Sequence, residues 1–541
     1  MSNFKNIIVH YKDGTSEEDN VNSVMARDEN DFRGWECWAG VQNITISNTG
    51  DVFRAICKVG GKLGNIYDGF EMPKETIICN KPRCICAADV QLSKALPKHV
   101  NKLRVWKMDN YKHFYDRAVD KLKDLPVNKS TFCPLPFVHV STTPHGEIKL
   151  CCRARPPKGG KNVNNPNVKD DNFNLKDYWH SEYMNEVRDD LILGNKPQQC
   201  QNCWKMEDMD IVSLRLNRLT DLMENDTYKK LVEHYIKHRE VEFKIPLIEL
   251  KLSNVCNFKC RMCWPKDSSK WMQDWDKVKK FYSKEDQNYI EEIVDGNNLR
   301  QTRVMNLFEK DEHFVRHLVE LMEHIEELEF AGGEPLMDPI HYRVLDSIPH
   351  PENVTLKYST NLSIMKMGKH SVIDLWKKFK SIKLTISIDG HKELNAKIRR
   401  GSDWDLLKEN IKLVKENLDN IDVIKGTTCI SGMNAQALGE TAEAIEFELG
   451  IFWHTSRMQN PDFLHANVLS PIQLKEGIDG LKRVFDSLNT PERRHISRRQ
   501  MLETHLKGAM SWLQSCIDNN KHTEKYEAFL KFNNATDEID K

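Results

Sequence analysis

From residue 244 onward, short apolar runs alternate with longer stretches in which apolar residues recur at helical spacing. The runs fall at 247–252, 328–330, 354–358, 382–388, 423–429 and 451–454. Strand-sized runs separated by helical segments are the βα repetition of a parallel sheet or barrel. Six such units predict an α/β fold, a partial (β/α)6 TIM-type barrel whose site lies at the carboxyl ends of its strands. The crossover over 264–308 is long and heavily charged, which predicts an insertion beside that site. Residues 309–329 read as an acidic helix, with Glu320, Glu323, Glu326 and Glu327 on a solvated face.

Before the barrel the pattern changes to hairpins. Asn43-Ile44-Thr45-Ile46-Ser47, a turn at Asn48-Thr49-Gly50-Asp51 and Val52-Phe53-Arg54-Ala55-Ile56-Cys57 form one. Phe137-Val138-His139-Val140, a turn at Pro144-His145-Gly146 and Glu147-Ile148-Lys149-Leu150-Cys151 form another. A cysteine precedes each, and Cys37 to Gly50 and Cys133 to Gly146 are both thirteen positions, so the second hairpin repeats the plan of the first. Helical spacing marks 111–125, a helix from Asp177 that Gly194-Asn195-Lys196-Pro197 stops, and a tether over about 206–242. After about 470 the chain reads as polar helices with an unstructured tail over 533–541. The expected organisation is two small cysteine-rich α+β modules with β-hairpins (1–100 and 101–215), a helical linker (216–243), the barrel (244–470) and a C-terminal helical region and tail (471–541).

Composition narrows the function. The 541 residues carry 79 basic and 80 acidic side chains, with neither the basic stripe of a nucleic-acid binder nor an acidic tail. No apolar run approaches the roughly 18 residues of a membrane span, and the polar start lacks a signal peptide's apolar segment. The expectation is a soluble cytoplasmic protein of unspecified oligomeric state. No phosphate loop of the G-x-x-x-x-G-K type is present, and His139, His145 and His454 stay unassigned.

All but two of the fifteen cysteines are clustered. A reducing cytoplasm makes clustered thiols metal ligands sooner than disulfides, whereas Cys429 and Cys516, standing alone, read as small buried apolar residues. The first cluster is Cys37, Cys57, Cys79, Cys84 and Cys86. The second is Cys133, Cys151, Cys152, Cys200 and Cys203. Strand side chains alternate faces, so Cys57 and Cys151, at plus seven and plus five from their turn glycines, point alike while Cys152 points away; Cys151 is the expected ligand. Four thiols in this order can bind zinc or an iron–sulfur cluster. The third cluster, Cys256, Cys260 and Cys263, follows the first barrel strand with spacing C-x3-C-x2-C. Three such thiolates can hold three irons of a cubane cluster and leave the fourth without a protein ligand.

That triplet, after a first barrel strand, resembles the radical S-adenosylmethionine (radical SAM) superfamily. The resemblance implies a 4Fe–4S cluster on Cys256, Cys260 and Cys263 whose open iron chelates SAM, reductive cleavage of SAM to methionine and a 5′-deoxyadenosyl radical, and a low-potential electron donor such as flavodoxin or ferredoxin. It also implies SAM contacts from Gly332-Gly333-Glu334 after the second strand, from Asn361 after the third, from Ser387 and Asp389 at the end of the fourth, and from Arg399, or Arg400 beside it, at the SAM carboxylate. Met262 stands where the family often has an aromatic residue against the adenine. Cys133, Cys151, Cys200 and Cys203 are similar to the ligands of a twitch domain, the short form of the SPASM domain, and Cys37, Cys57 and two of Cys79, Cys84 and Cys86 look like a divergent copy. One or two auxiliary Fe–S clusters follow from that likeness, although such modules usually come after the barrel, not before it. Since twitch and SPASM enzymes often modify peptides, the expected substrate is a peptide or protein. The alternatives are a small metabolite or nucleotide as substrate, or, without catalysis, a zinc- or cluster-holding interaction protein.

Overall fold

The computed structural model describes residues 6–10, 16–20, 36–37, 39–75, 77–81, 84, 94–95, 111–112, 114–154, 167–168, 172–208, 212–296, 318–490, 492–493 and 498–540. The chain divides into two compact units, Met1–Met108 and Asp109–Lys541. In the first, Thr45–Ile46, Asp51–Phe53, Lys62–Asn65 and Gly69–Phe70 make a four-stranded antiparallel sheet. Glu36–Cys37 pairs with both Ile77–Ile78 and Lys94–Ala95, which brings Cys37 and Cys79 into one small buried cluster with Cys57 against it.

The second unit is built on one eight-stranded sheet. Its strands are β1 (His139–Thr142), β2 (Ile148–Lys149), β3 (Leu247–Lys251), β4 (Glu327–Ala331), β5 (Thr355–Thr360), β6 (Ser381–Ser387), β7 (Ile421–Ile430) and β8 (Phe452–Arg457), in the order β2-β1-β3-β4-β5-β6-β7-β8. Only β1 and β2 pair antiparallel; β1 to β3 and the steps from β3 to β8 are parallel. The six expected barrel strands therefore stand side by side in chain order. The hairpin of the second cysteine-rich segment joins them as two further strands of the same sheet, and is not a separate layer.

Alternation along these strands explains the layers. On β4 to β6, Leu328, Phe330, Leu356, Tyr358, Ile382, Leu384 and Ile386 are buried and face helices such as Pro339–Asp346 and Val372–Trp376, where His341 and Trp376 pack on Phe330 and Tyr358. Each such side chain contributes at most about 2–3 kcal/mol of burial. The opposite face carries Glu327, Glu329 and Lys357. Arg218, on the helix Leu214–Leu222, lies 3.5 Å from Glu327 and 3.4 Å from Glu329, and Lys357 lies 2.5 Å from Glu327. The expected tether thus supplies a cation to the sheet.

Three expectations need correcting. Glu327 is no solvated helix residue: it begins β4, and Glu326 accepts the Tyr228 hydroxyl at 2.9 Å. Phe137 and Val138 lie in the short helix Leu135–Val138, begun by Pro134-Leu135-Pro136, and the strand starts at His139. The tail is helical over His522–Ile539, because Phe529 and Phe532 bury an apolar stripe that its many polar residues obscured.

Candidate active site

The loop after β3 is where the sheet and three other elements meet. Its thiols Cys256 and Cys260 are buried with Phe258, and Met262 and Cys263 pack against them. The backbone N–H of Phe258 points to the Cys256 sulfur at 3.4 Å. Lys259 and Cys260 pair antiparallel with Arg400 and Arg399. From the insertion, the Ser268 hydroxyl donates to the Phe258 carbonyl (2.7 Å) and the Trp271 indole to the Cys260 carbonyl (2.8 Å).

The turn after β4 closes on the same loop. Gly333 and Glu334 donate their N–H groups to the carbonyls of Ser253 (3.1 Å) and Val255 (2.7 Å). A Cβ on Gly333 would stand 2.1 Å from the Val255 oxygen, so this approach is open to glycine alone. Gly332 is held at φ +105°. The buried Glu334 carboxylate accepts from the Thr360 hydroxyl (2.6 Å), the Asn361 N–H (2.7 Å) and the Leu336 N–H (3.2 Å), tying the end of β5 to that turn. Burial pushes its pKa up, and those hydrogen bonds oppose the shift. Asn361 continues the chain of contacts, its amide donating to Asn257 at 3.0 Å.

On the far side, Asp389 is fully buried just beyond β6, and its Oδ1 accepts the Cys429 N–H at 2.7 Å. Its Oδ2 lies 2.6 Å from Arg399 Nε, a close ion contact whose N–H is not aligned as a hydrogen bond. Arg399 Nη1 reaches the Cys260 sulfur at 3.7 Å. Burial raises the Asp389 pKa while Arg399 opposes the rise. The Cys260 thiol is held below its usual range by a hydrogen bond from Cys263, helped by the Arg399 charge, whereas burial pushes Cys256 up to about 12. Arg400 turns elsewhere, donating to the Ile539 carbonyl at 3.3 Å. Of the two arginines it is Arg399 that faces the thiols. Ser387, half-buried, ends β6 opposite Thr427.

The second cysteine group surrounds a cavity. Cys133, Cys151, Cys200 and Cys203 line it with Leu135, Leu150, Leu191, Trp204 and Arg215. Backbone N–H groups approach three of the sulfurs: Leu135 at Cys133, Arg153 and Ala154 at Cys151, and Arg215 at Cys203. Burial raises all four thiol pKa values, Cys151 to about 11; a cation among them would reverse that balance. Cys152 is not on this wall. It faces Glu249, Lys251 and Glu329 of the sheet. In the first unit Cys37, Cys57 and Cys79 share a cluster and Cys84 is buried; Cys86 lies outside the described residues. Among the described residues, no three cysteine, histidine or acidic side chains converge closely enough to share a single ion.

Sequence reasoning missed the role of Arg261. This residue, 3 % exposed, sits between Cys260 and Met262 and donates to the Lys397 carbonyl at 2.9 Å. It also pairs with Asp537, and with Asp540 at 3.1 Å. The only signal was acidity in the tail, which solvation explains equally well.

Residues 250–445 match the profile of the radical SAM superfamily. The chain carries a radical SAM domain. No curated protein matches the chain. Among solved structures, SuiB of Streptococcus suis bound to S-adenosylmethionine is 13% identical over 54% of this chain and 58% of its own, with a TM-score of 0.30. The anSMEcpe structure with bound AdoMet and a Cp18Cys peptide is 15% identical over 44% and 58%, at 0.29. TYW1 with a lysine-pyruvate adduct is 16% identical over 43% and 69%, at 0.23. The chain thus spans less than two thirds of the first two, and at such TM-scores the likeness carries no argument about this site. The superfamily implies a 4Fe–4S cluster and SAM. The donor set of the radical SAM domain fits them: three thiols on one loop, an N–H and a guanidinium directed at two of the sulfurs, and a glycine turn that leaves the backbone open beside them.

Proposed function

We propose that this protein is a radical SAM enzyme acting on a peptide or protein, with Cys256, Cys260 and Cys263 as cluster ligands. The observation that carries the proposal is the clamping of that loop between the Gly332-Gly333-Glu334 turn and Arg399. When bound, the cluster supplies one electron to SAM, which yields methionine and a 5′-deoxyadenosyl radical. The chain's own residues hold and orient. Gly332 and Gly333 leave backbone carbonyls free to approach the SAM amino group, with Glu334 fixing their turn and Asn361 and Ser387 at neighbouring strand ends. Asp389 orients Arg399, whose Nη1 serves Cys260 and whose Nη2 is the edge left for a carboxylate. A low-potential flavodoxin or ferredoxin is the proposed electron donor.

Cys133, Cys151, Cys200 and Cys203 are the proposed ligands of an auxiliary cluster. Thiols spread around a cavity suit sulfurs bound to separate irons better than one tetrahedral ion. Their order along the chain, that of a twitch or SPASM module, supports a peptide or protein substrate.

Anaerobic reconstitution followed by iron and zinc counting tests this reading. The expected result is about four irons for each cluster held, no zinc in the radical SAM domain, and reductant-dependent release of 5′-deoxyadenosine that Cys256→Ala abolishes. Zinc-filled thiols with no SAM cleavage would sink it in favour of a non-catalytic metal-holding protein.

A further inference from the structure

The last barrel strand, β8, ends at Arg457, and the helix Arg499–Asp518 packs along it. Ring contacts define the seam. His505 meets Phe452 at 5.1 Å between ring centroids and His454 at 4.9 Å, and the Arg457 guanidinium lies 4.8 Å from the centre of the Trp512 ring. Charge along this seam has one sign. Arg457 is half-buried, and among the described residues its side chain forms no ion pair and no hydrogen bond. Burial lowers its pKa, and what opposes the shift is the Cys516 thiol, itself pushed up to about 12 by burial. A neutral thiol offers no counter-charge. Burial and the cations Lys425 and Arg457 lower His505 to about 4; burial, Lys425 and His505 lower His454 to about 3. Lys425, on β7, likewise forms no ion pair among the described residues; the acid that acts most on it, Glu329, lies 3.4 Å from Arg218. Trp512 adds an independent sign. Its indole Nε1 is sealed from solvent and has no acceptor among the described residues. A buried cation without counter-charge and a buried donor without acceptor both cost stability, and contact with a ring face recovers only part of that. Donors and positive charge gathered from three elements, with no acceptor among them, are complementary to an oxyanion.

We propose that the seam between β8 and the helix Arg499–Asp518 is an anion-binding site, with Arg457 and the Trp512 N–H as its donors and Lys425 adding to the positive field. Its ligand is a carboxylate or phosphate group. Arg457 pairs with Ile430 across the sheet, one residue past Cys429, whose N–H Asp389 accepts. The seam thus adjoins the strand ends of the candidate active site, and on the radical SAM reading the anionic group belongs to the substrate. Anion binding needs neither cluster nor SAM, so it holds or fails separately from that reading.

The test follows the thermal unfolding midpoint of the full-length protein, without SAM, as glutarate or inorganic phosphate is added, with sodium chloride at matched ionic strength as the baseline. In the unsubstituted protein the midpoint should rise saturably above the baseline. A response to glutarate marks a carboxylate site, and a response to phosphate a phosphate site. Arg457→Gln removes the charge, whereas Trp512→Phe keeps the ring and removes only the N–H. Either variant should weaken the apparent affinity at least about tenfold. Trp512→Phe, which sheds an unpaired donor, should unfold no lower than the unsubstituted protein when no anion is added, so that its loss of response is not a loss of fold. No saturable rise with either anion, or an undiminished rise in either variant, would overturn the proposal and leave Arg457 as a side chain that only packs on Trp512.

Discussion

At the scale of single residues, the site depends most on a side chain that is missing. Gly333 lies where any Cβ would meet the Val255 carbonyl oxygen at 2.1 Å, and that carbonyl belongs to the residue just before Cys256. Gly333→Ala must push the turn after β4 away from the cysteine loop. The expected cost is about 2–3 kcal/mol of stability, read as a lowered denaturation midpoint, with less iron retained on the loop; a variant with both unchanged would show that the loop does not need this contact. Glu334 was legible in the sequence as part of a motif, but its structural work was not. Its oxygens are engaged by Thr360, Asn361 and Leu336, partners that no spacing rule picks out because two of them lie at the end of the next strand, one of them just past it. Arg399 and Arg400 looked equivalent in the sequence. What separates them is a two-residue strand pairing, too short to leave a hydrophobic pattern.

At the scale of elements, the helix His522–Ile539 is a support for the cysteine loop. Its last turn meets Arg261 and Arg400 through Asp537, Asp540 and the Ile539 carbonyl, and Phe532 packs on Phe281 of the insertion and on Phe463. Asp537→Asn combined with Asp540→Asn leaves Arg261 buried with only neutral partners. That should cost about 1–3 kcal/mol, toward the low end because the carboxylates are partly solvated. Iron retained on the loop after gel filtration should fall with the melting temperature. Retention equal to that of the unsubstituted protein would mean the helix merely covers the loop. The barrel strands were readable from alternation, since β4, β5 and β6 each bury one face. This helix was not, because its buried stripe is narrow and most of its length is polar.

At the scale of the whole chain, sequence repetition suggested two small cysteine-rich modules ahead of a barrel. The repeat is real in spacing, but the second hairpin shares its sheet with the barrel through the β1 to β3 pairing. A fragment of residues 109–243 would lose the partner of β1 and the carboxylates that Arg218 meets. It should therefore stay largely unfolded by circular dichroism, whereas 109–541 should fold; a cooperative melt of the short fragment would refute this. Pairing between segments about 108 residues apart is the kind of information that local patterns do not contain. The same long reach sets an order of events in the cell. Arg261 waits for partners 276 and 279 positions later, which at about 5–20 residues per second is on the order of 15–55 s of synthesis. For that interval the loop is made but lacks these partners, so if its thiols bind a metal as proposed, loading before the partners emerge would meet a loop that has yet to acquire its shape.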